Sequence, residues 1–228
     1  EQAFQHVYNL ETEEWSGSWC LVYLNQLSPE LRQKVRDELK WLSFGSMAPG
    51  LMEHPRFTRS ELIPMLQEWG ALEDTIVMQT VPMEQKSPRA LRLQVRESWN
   101  LDELGGRYRR FLSQFRPLWR ELQSDDTLSP EECLTVRILL IHEYRKILLR
   151  DPILPDELLP GDWEGRSAKQ LCRNLYRQIY VRAEQWLDET LENASGPLPG
   201  PGEKFYRRFG GLRDVASKTD FTTEREMS

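Results

Sequence analysis

The chain has 228 residues, of which 39% are hydrophobic and 29% charged, as in ordinary globular proteins and unlike disordered ones. No apolar run approaches the ~20 residues that a membrane-spanning helix needs, and the N-terminus lacks the basic start and apolar centre of a signal peptide, so we expect a cytoplasmic protein without a membrane partner. The formal net charge of −6 disfavours nucleic-acid binding by bulk electrostatics.

Strands and helices alternate in residues 1–86. The continuously apolar run 19–24 predicts a central strand, and Ser28 with Pro29 opens a helix. Further along the chain, a hairpin is predicted at 44–48 and 51–54, a capped helix at 58–70 and a strand at 75–81. The resulting βαββαβ order is that of a ferredoxin-like domain with an antiparallel sheet and two helices on one face.

The composition changes to helix formers after residue 86, so an all-α domain is predicted at 87–228. Helices are expected at about 88–98, 101–123, 130–150 and 167–192. The overall prediction is an α+β fold, with the ferredoxin-like domain (1–86) followed by the helical domain. Beyond the helix-breaking run GPLPGPG, the segment FYRRFGGL is expected to return and pack on the helices.

The helix at 130–150 is predicted to be the central one. Ser129, Pro130 and Glu132 form a capping signal at its start, and Pro152 ends it. Residues 138–141 are apolar around a whole turn, which predicts a mostly buried helix.

No catalytic constellation is found. The histidines have no metal-ligand spacing, and the three cysteines, without a C-x-x-C pair, are expected to be reduced and buried. His142 and Glu143 are adjacent on a helix and point in different directions, so a structural role for His142 is an open alternative. We predict no enzyme, no catalytic residue, no metal site and no cofactor.

The run HEYRKILLRDPILPDELLPGDW, followed by LCRNLYRQIY, resembles the PaaX family, bacterial repressors of phenylacetic acid catabolism. EEWSGSWCLVYL, WLSFGSMAPGLM and FGGL extend the resemblance over nearly the whole chain. It implies a central domain similar to the Cas2 nucleases and a helical C-terminal domain for effector binding and dimerisation. It also implies a winged helix-turn-helix domain that this sequence lacks, so we expect operator DNA to be bound through an N-terminal domain outside this sequence.

The resemblance implies that the effector is phenylacetyl-coenzyme A and that its binding releases operator DNA. Because DNA repressors read two half-sites as dimers, we also expect a homodimer. A related regulator of another acyl-coenzyme A and a pure dimerisation scaffold are alternatives. A Cas2-like nucleic-acid enzyme is a further alternative, disfavoured because Asn25 stands where such a nuclease places a metal-binding aspartate, and a neutral amide is a poor Mg²⁺ ligand.

An acyl-coenzyme A needs an aromatic slot and several basic groups for its phosphates. The helical domain offers both kinds of residue: arginines are abundant in 87–123, and basic residues are spaced i, i+3 or i, i+4 on the later helices. The candidate effector contacts are Arg116, His142, Arg145, Trp163, Arg173, Tyr176 and Arg177. The competing interpretation is that Arg145 and Arg173 form structural ion pairs with Glu143, Asp151 or Asp162.

Overall fold

The computed structural model describes residues 14–81, 89–124, 128–193, 196–197 and 199–212. These residues form two compact units. The sheet unit comprises the described residues up to Leu104 together with Asp151–Asp162, and the helical unit comprises Gly105–Arg150 and the described residues from Trp163 onward. The proposed domain division between residues 86 and 87 stays a prediction.

The sheet unit contains four antiparallel strands, β1 (Cys20–Tyr23), β2 (Gly45–Ala48), β3 (Leu51–His54) and β4 (Ile76–Gln79), in the order β2-β3-β1-β4. β1 lies between β3 and β4, with Cys20 opposite both His54 and Gln79. Helix α1 (Pro29–Trp41) follows β1, and helix α2 (Arg59–Glu68) follows β3. The ferredoxin-like βαββαβ order predicted from the sequence is therefore confirmed.

Local sequence signals determine where these two helices begin. The hydroxyl of Ser28 accepts the N–H of Leu31 at 3.4 Å and caps α1. Thr58 and Glu61 form a reciprocal capping box at α2, in which each side chain accepts the other residue's backbone N–H. With the first turns fixed in this way, the apolar stripes of both helices pack into one core with the buried side chains of the sheet.

Helix α3 (Arg89–Ser98) packs on β2 through polar and aromatic contacts. The hydroxyl of Ser98 donates to the buried carboxylate of Glu53 at 2.5 Å, and the indole N–H of Trp99 donates to the carbonyl of Ser43 at 2.8 Å. Burial raises the pKa of Glu53, although hydrogen bonds from Ser98 and Gln94 act in the opposite direction. All the residues that make these contacts, including Trp99, belong to the sheet unit.

The helical unit contains three long helices, α4 (Leu101–Ser124), α5 (Pro130–Leu148) and α6 (Glu164–Thr190), and α5 packs along α6. The first four residues of α4, before Gly105, belong to the sheet unit. The capping box of Ser129 and Glu132 is present at the start of α5. On α6, Leu171, Leu175, Ile179 and Ala183 are buried, so the stripe predicted from their spacing does face the core. No helix in the described residues is long and apolar enough to cross a membrane.

The prediction that α5 is mostly buried is wrong for one of its faces. Leu140, Tyr144 and Ile147 are buried, but Ile138 is 59% exposed and Leu139 is 50% exposed. Leu149, just after the helix, is 74% exposed. A helix that is apolar on every face can be buried on every face. Which of its faces are actually buried depends on how many other segments pack against the helix.

The C-terminal part of the chain returns to the helices, as its sequence predicted. A short two-stranded ladder of β5 (Glu192–Asn193) and β6 (Gly196–Pro197) follows α6, and a one-turn helix α7 (Glu203–Tyr206) comes next. Phe209 and Leu212 are then buried. We call Glu203 to Leu212 the C-terminal strap.

Candidate functional site

A surface cleft of about 490 Å³ lies in the helical unit, between α5, α6 and the C-terminal strap. Its lining combines basic and apolar side chains. The residues that line it are Arg137, Ile138, Ile141, His142, Arg145, Lys146, Leu149, Tyr176 and Arg208. Five of these are basic, and no acidic residue is among the described residues that line the cleft.

One face of α5 supplies most of the lining. Ile138, Ile141, Arg145 and Leu149 recur at intervals of three or four residues, so they follow one stripe along the helix. This stripe includes Ile138, one of the apolar side chains that were wrongly expected to be buried. An apolar floor is thus exposed directly beside cations, an arrangement that suits a ligand with both apolar and anionic parts.

Neighbouring carboxylates neutralise part of the positive charge. Arg137 forms an ion pair with Glu184 on α6, and both side chains are mostly buried. Lys146 donates to Glu143 at 3.1 Å. Arg145, by contrast, forms no ion pair with any carboxylate in the described parts of the chain, so its charge is available to a ligand.

His142 is an exposed residue, with 64% of its side chain accessible. Its Nε2 lies 3.9 Å from a carboxylate oxygen of Glu143. His142 is thus a surface residue, and the alternative of a structural role stays a prediction.

The far side of the cleft is formed by α6 and the strap. The ring of Tyr176 is buried, and its hydroxyl accepts a hydrogen bond from Nη1 of Arg208 at 2.8 Å. The guanidinium of Arg208 also lies 4.8 Å from the centre of the Phe205 ring, a cation–π contact. Sequence reasoning found Tyr176 but missed Arg208, since Arg208 lies in a different segment of the chain.

The seven predicted effector residues are not all in this cleft. His142, Arg145 and Tyr176 line it, whereas Arg116 is exposed elsewhere on α4. Trp163 is buried against Tyr108, with ring centres 5.8 Å apart. Whether these residues contact an effector stays a prediction.

The two remaining arginines of the prediction are on α6. Arg177 donates to the backbone carbonyls of Phe209 at 3.1 Å and Gly211 at 2.9 Å, so it holds the strap. Arg173 is half-buried, and its Nε has no hydrogen-bond partner within the described residues. The structural ion pairs considered for Arg145 and Arg173 are not formed with the carboxylates that the structure describes.

The sheet unit has a second concavity, of about 570 Å³, near the start of α2. Ser16, Ser18, Arg56 and Arg59 contribute polar groups to it. The helix N-terminus there is already occupied by the capping box of Thr58 and Glu61, so this concavity offers less free hydrogen-bonding capacity than its composition indicates.

The described residues offer few groups that could bind a metal ion or act as reactive thiols. The described residues contain no cluster of three or more His, Cys, Asp or Glu side chains that is suited to hold a metal ion. Asn25, after β1, is exposed, and its amide donates weakly to the carbonyl of Pro49 at 3.4 Å. The three cysteines are buried and form no disulfide, and burial raises the pKa of the Cys20 thiol to about 11.

Comparisons with known proteins cover both units. Residues 12–95 match the family model described as the PaaX protein central Cas2-like domain, and residues 99–189 match that of the PaaX-like protein C-terminal domain. The transcriptional repressor PaaX of Escherichia coli (strain K12) is 37% identical over 212 residues, which are 92% of this chain and 67% of that protein. The chain belongs to the PaaX family of transcriptional repressors.

The fold of this PaaX-family chain also resembles a solved structure. The uncharacterized protein Rv0674 from Mycobacterium tuberculosis matches with a TM-score of 0.50 and 17% sequence identity, over 79% of this chain and 68% of that protein. At such low identity the match concerns the fold alone. The Cas2-like central domain and the helical C-terminal region are thus supported by both family models and by the sheet order described above.

Proposed function

We propose that this chain is the effector-sensing and pairing portion of a bacterial repressor of phenylacetic acid degradation genes, and that phenylacetyl-coenzyme A is its effector. Membership of the PaaX family supports the regulatory role. The observation that carries the sensing role is the cleft of the helical unit, in which Arg145, Lys146 and Arg208 stand beside the exposed apolar side chains of Ile138 and Leu149.

The chemistry of the ligand matches this lining. Coenzyme A carries a pyrophosphate and a 3'-phosphate, which are bound well by guanidinium and ammonium groups. The phenylacetyl end is apolar and gains free energy by covering exposed aliphatic carbon. Free phenylacetate has the ring but no phosphate, and would use only part of the cleft.

In this proposal the ligand releases DNA because its binding changes how the two protomers are arranged relative to each other. Repressors that read two half-sites depend on how the paired protomers hold their DNA-binding domains. In this proposal those domains precede the chain in the longer protein. A ligand that prefers a pairing geometry mismatched to the operator weakens DNA binding by the ratio of its affinities for the two geometries, typically about 1 to 3 kcal/mol. No catalytic step is part of the proposal.

Calorimetry with this chain tests the proposal. Phenylacetyl-coenzyme A should give a saturable heat, coenzyme A a weaker one, and phenylacetate none. Arg145→Gln should weaken binding of phenylacetyl-coenzyme A about tenfold or more, because a charge-assisted hydrogen bond is worth about 1.5 to 3 kcal/mol.

Arg150→Gln is the matched control, because Arg150 is an exposed arginine that lies just beyond α5 and does not line the cleft. It should leave the affinity within about twofold, the range expected for a surface change. The absence of a saturable heat with phenylacetyl-coenzyme A would overturn the proposal. A heat with another acyl-coenzyme A alone would favour the alternative of a related regulator.

A further inference from the structure

We infer that the C-terminal strap is a part of the ligand site, and that its Arg208 binds a phosphate group of the ligand and thereby couples ligand binding to docking of the strap. This inference rests on the proposed function, because it concerns the same cleft. It assigns a role to a residue and a segment that neither the sequence analysis nor the comparisons connect with a ligand.

The strap is held on α6 by a mixture of apolar and polar contacts. Phe209 is buried with its ring centre 5.0 Å from that of Tyr176, and Leu212 is fully buried. Arg177 donates to two strap carbonyls, and the hydroxyl of Tyr180 donates to the carbonyl of Leu212 at 2.6 Å. The strap therefore has a defined docked position, although it is only ten residues long and contains only a one-turn α-helix (Glu203–Tyr206) and a short 3-10 segment (Arg208–Gly210).

Docking places Arg208 at the cleft. Phe209, the next residue, has a φ of 52° and is buried, so the chain turns sharply there and Arg208 and Phe209 take different directions. Phe209 enters the core, while Arg208 contacts the Tyr176 hydroxyl and lines the cleft. The positive φ at a non-glycine residue is costly and persists only because the burial of the Phe209 ring compensates for it.

The electrostatic setting favours an anion beside Arg208. Arg208 and Arg145 line the same cleft, one from the strap and the other from α5. An anion between them would screen the repulsion between the two cations and accept hydrogen bonds from both. The Tyr176 hydroxyl adds a neutral polar group: burial raises the pKa of Tyr176, the opposing effect of Arg208 being smaller.

Linkage then connects the ligand and the strap. A phosphate that contacts both α5 and the strap binds more tightly when the strap is docked, so the ligand must shift the docking equilibrium in the same direction. Loss of Arg208 removes both the phosphate contact and this coupling. The ligand should therefore slow the hydrogen exchange of the backbone amides in the strap, even though these amides are not on α5, which supplies most of the lining of the cleft.

Hydrogen exchange and calorimetry on the whole chain, with phenylacetyl-coenzyme A as the probe, test the inference. In the unsubstituted chain, the ligand should slow exchange in residues 205–212, where the N–H of Leu212 donates to the carbonyl of Tyr206 at 2.9 Å. Arg208→Gln should weaken binding about tenfold and abolish that slowing. Arg207→Gln, a change at the exposed neighbouring arginine, should do neither.

Tyr176→Phe keeps the ring that packs on Phe209 and removes the hydroxyl that positions Arg208. We expect an affinity loss of about threefold, as for one neutral hydrogen bond, with the strap still docked. If the unsubstituted chain binds the ligand but Arg208→Gln behaves like Arg207→Gln and exchange of 205–212 is unchanged, the inference is overturned and the proposed function stands. If the unsubstituted chain does not bind the ligand, both are overturned.

Discussion

His54, at the end of β3, is a buried histidine that serves as a hydrogen-bond acceptor. Its Nδ1 accepts the backbone N–H groups of Arg56 at 3.0 Å and Phe57 at 2.9 Å, and so shapes the turn that leads to α2. The ring packs beside Phe44 and Phe57, with centres 5.0 Å and 5.2 Å away. Burial, together with the charge of Arg56, lowers the pKa of His54 to about 4.

A histidine whose pKa is lower in the folded state makes stability depend on pH. Between about pH 6.5 and pH 4 the unfolded chain binds a proton that the folded chain does not, so the free energy of unfolding falls as the pH falls through this window. At pH 5 the loss from this residue should be about 2 kcal/mol relative to pH 7. Urea unfolding of the sheet unit at both pH values measures it.

His54→Asn is the informative variant, because the amide oxygen takes the place of the accepting Nδ1 but does not titrate. It should remove this part of the pH dependence, whereas His54→Ala should also lose stability at pH 7 because two N–H groups are left without an acceptor. Identical pH profiles for the unsubstituted chain and His54→Asn would contradict the assignment. Sequence alone indicated only that His54 has no metal-ligand spacing; its partners are backbone groups, which leave no pattern in the sequence.

Element boundaries were the most predictable part of the fold. The capping residues Ser28, Thr58 and Ser129 each start a helix where the sequence indicated, because capping is decided within four residues. The βαββαβ order of the elements was also predicted correctly. The exposure of Ile138 and Leu139 was not predictable, since it depends on which segments pack on α5 from elsewhere in the chain.

Truncation of adjacent leucines on α5 tests which face of the helix is in the core. Leu140→Ala should destabilise the helical unit by about 2 to 5 kcal/mol, because Leu140 is fully buried and its removal leaves a cavity. Leu139→Ala, with the same change in side chain at a half-exposed position, should cost less than about 1 kcal/mol. Thermal and urea unfolding of both variants give the comparison, and equal losses would show that α5 is oriented differently.

At the scale of the whole molecule, the sequence predicted part of the cleft and missed the rest for a physical reason. Spacing on one helix identified His142 and Arg145, which are neighbours along α5. Arg208 joins them only because the strap folds back onto α6, a contact over 32 residues with Tyr176 that no local pattern records. Arg177, predicted as an effector contact, donates to two backbone carbonyls of the strap.

Net charge gives a further test at this scale. The chain carries a formal charge of −6, so the net charge repels an anionic ligand, whereas the basic residues that line the cleft attract it. Raising the salt concentration from 0.05 M to 0.5 M shortens the Debye length from roughly 13 Å to roughly 4 Å. We expect the affinity for phenylacetyl-coenzyme A to fall about tenfold over this range, since its phosphates are bound at a partly exposed site.

The N-acetylcysteamine thioester of phenylacetic acid is the matched ligand, because it keeps the ring and the thioester but has no phosphate. Its weaker binding should change little with salt, since only uncharged contacts remain and added salt does not screen them. Titrations of both ligands at the two salt concentrations separate the contributions. If both affinities fell equally, the cations of the cleft would not be binding the phosphates. A fall for the coenzyme A ester alone would show that cationic groups of the protein bind its phosphates.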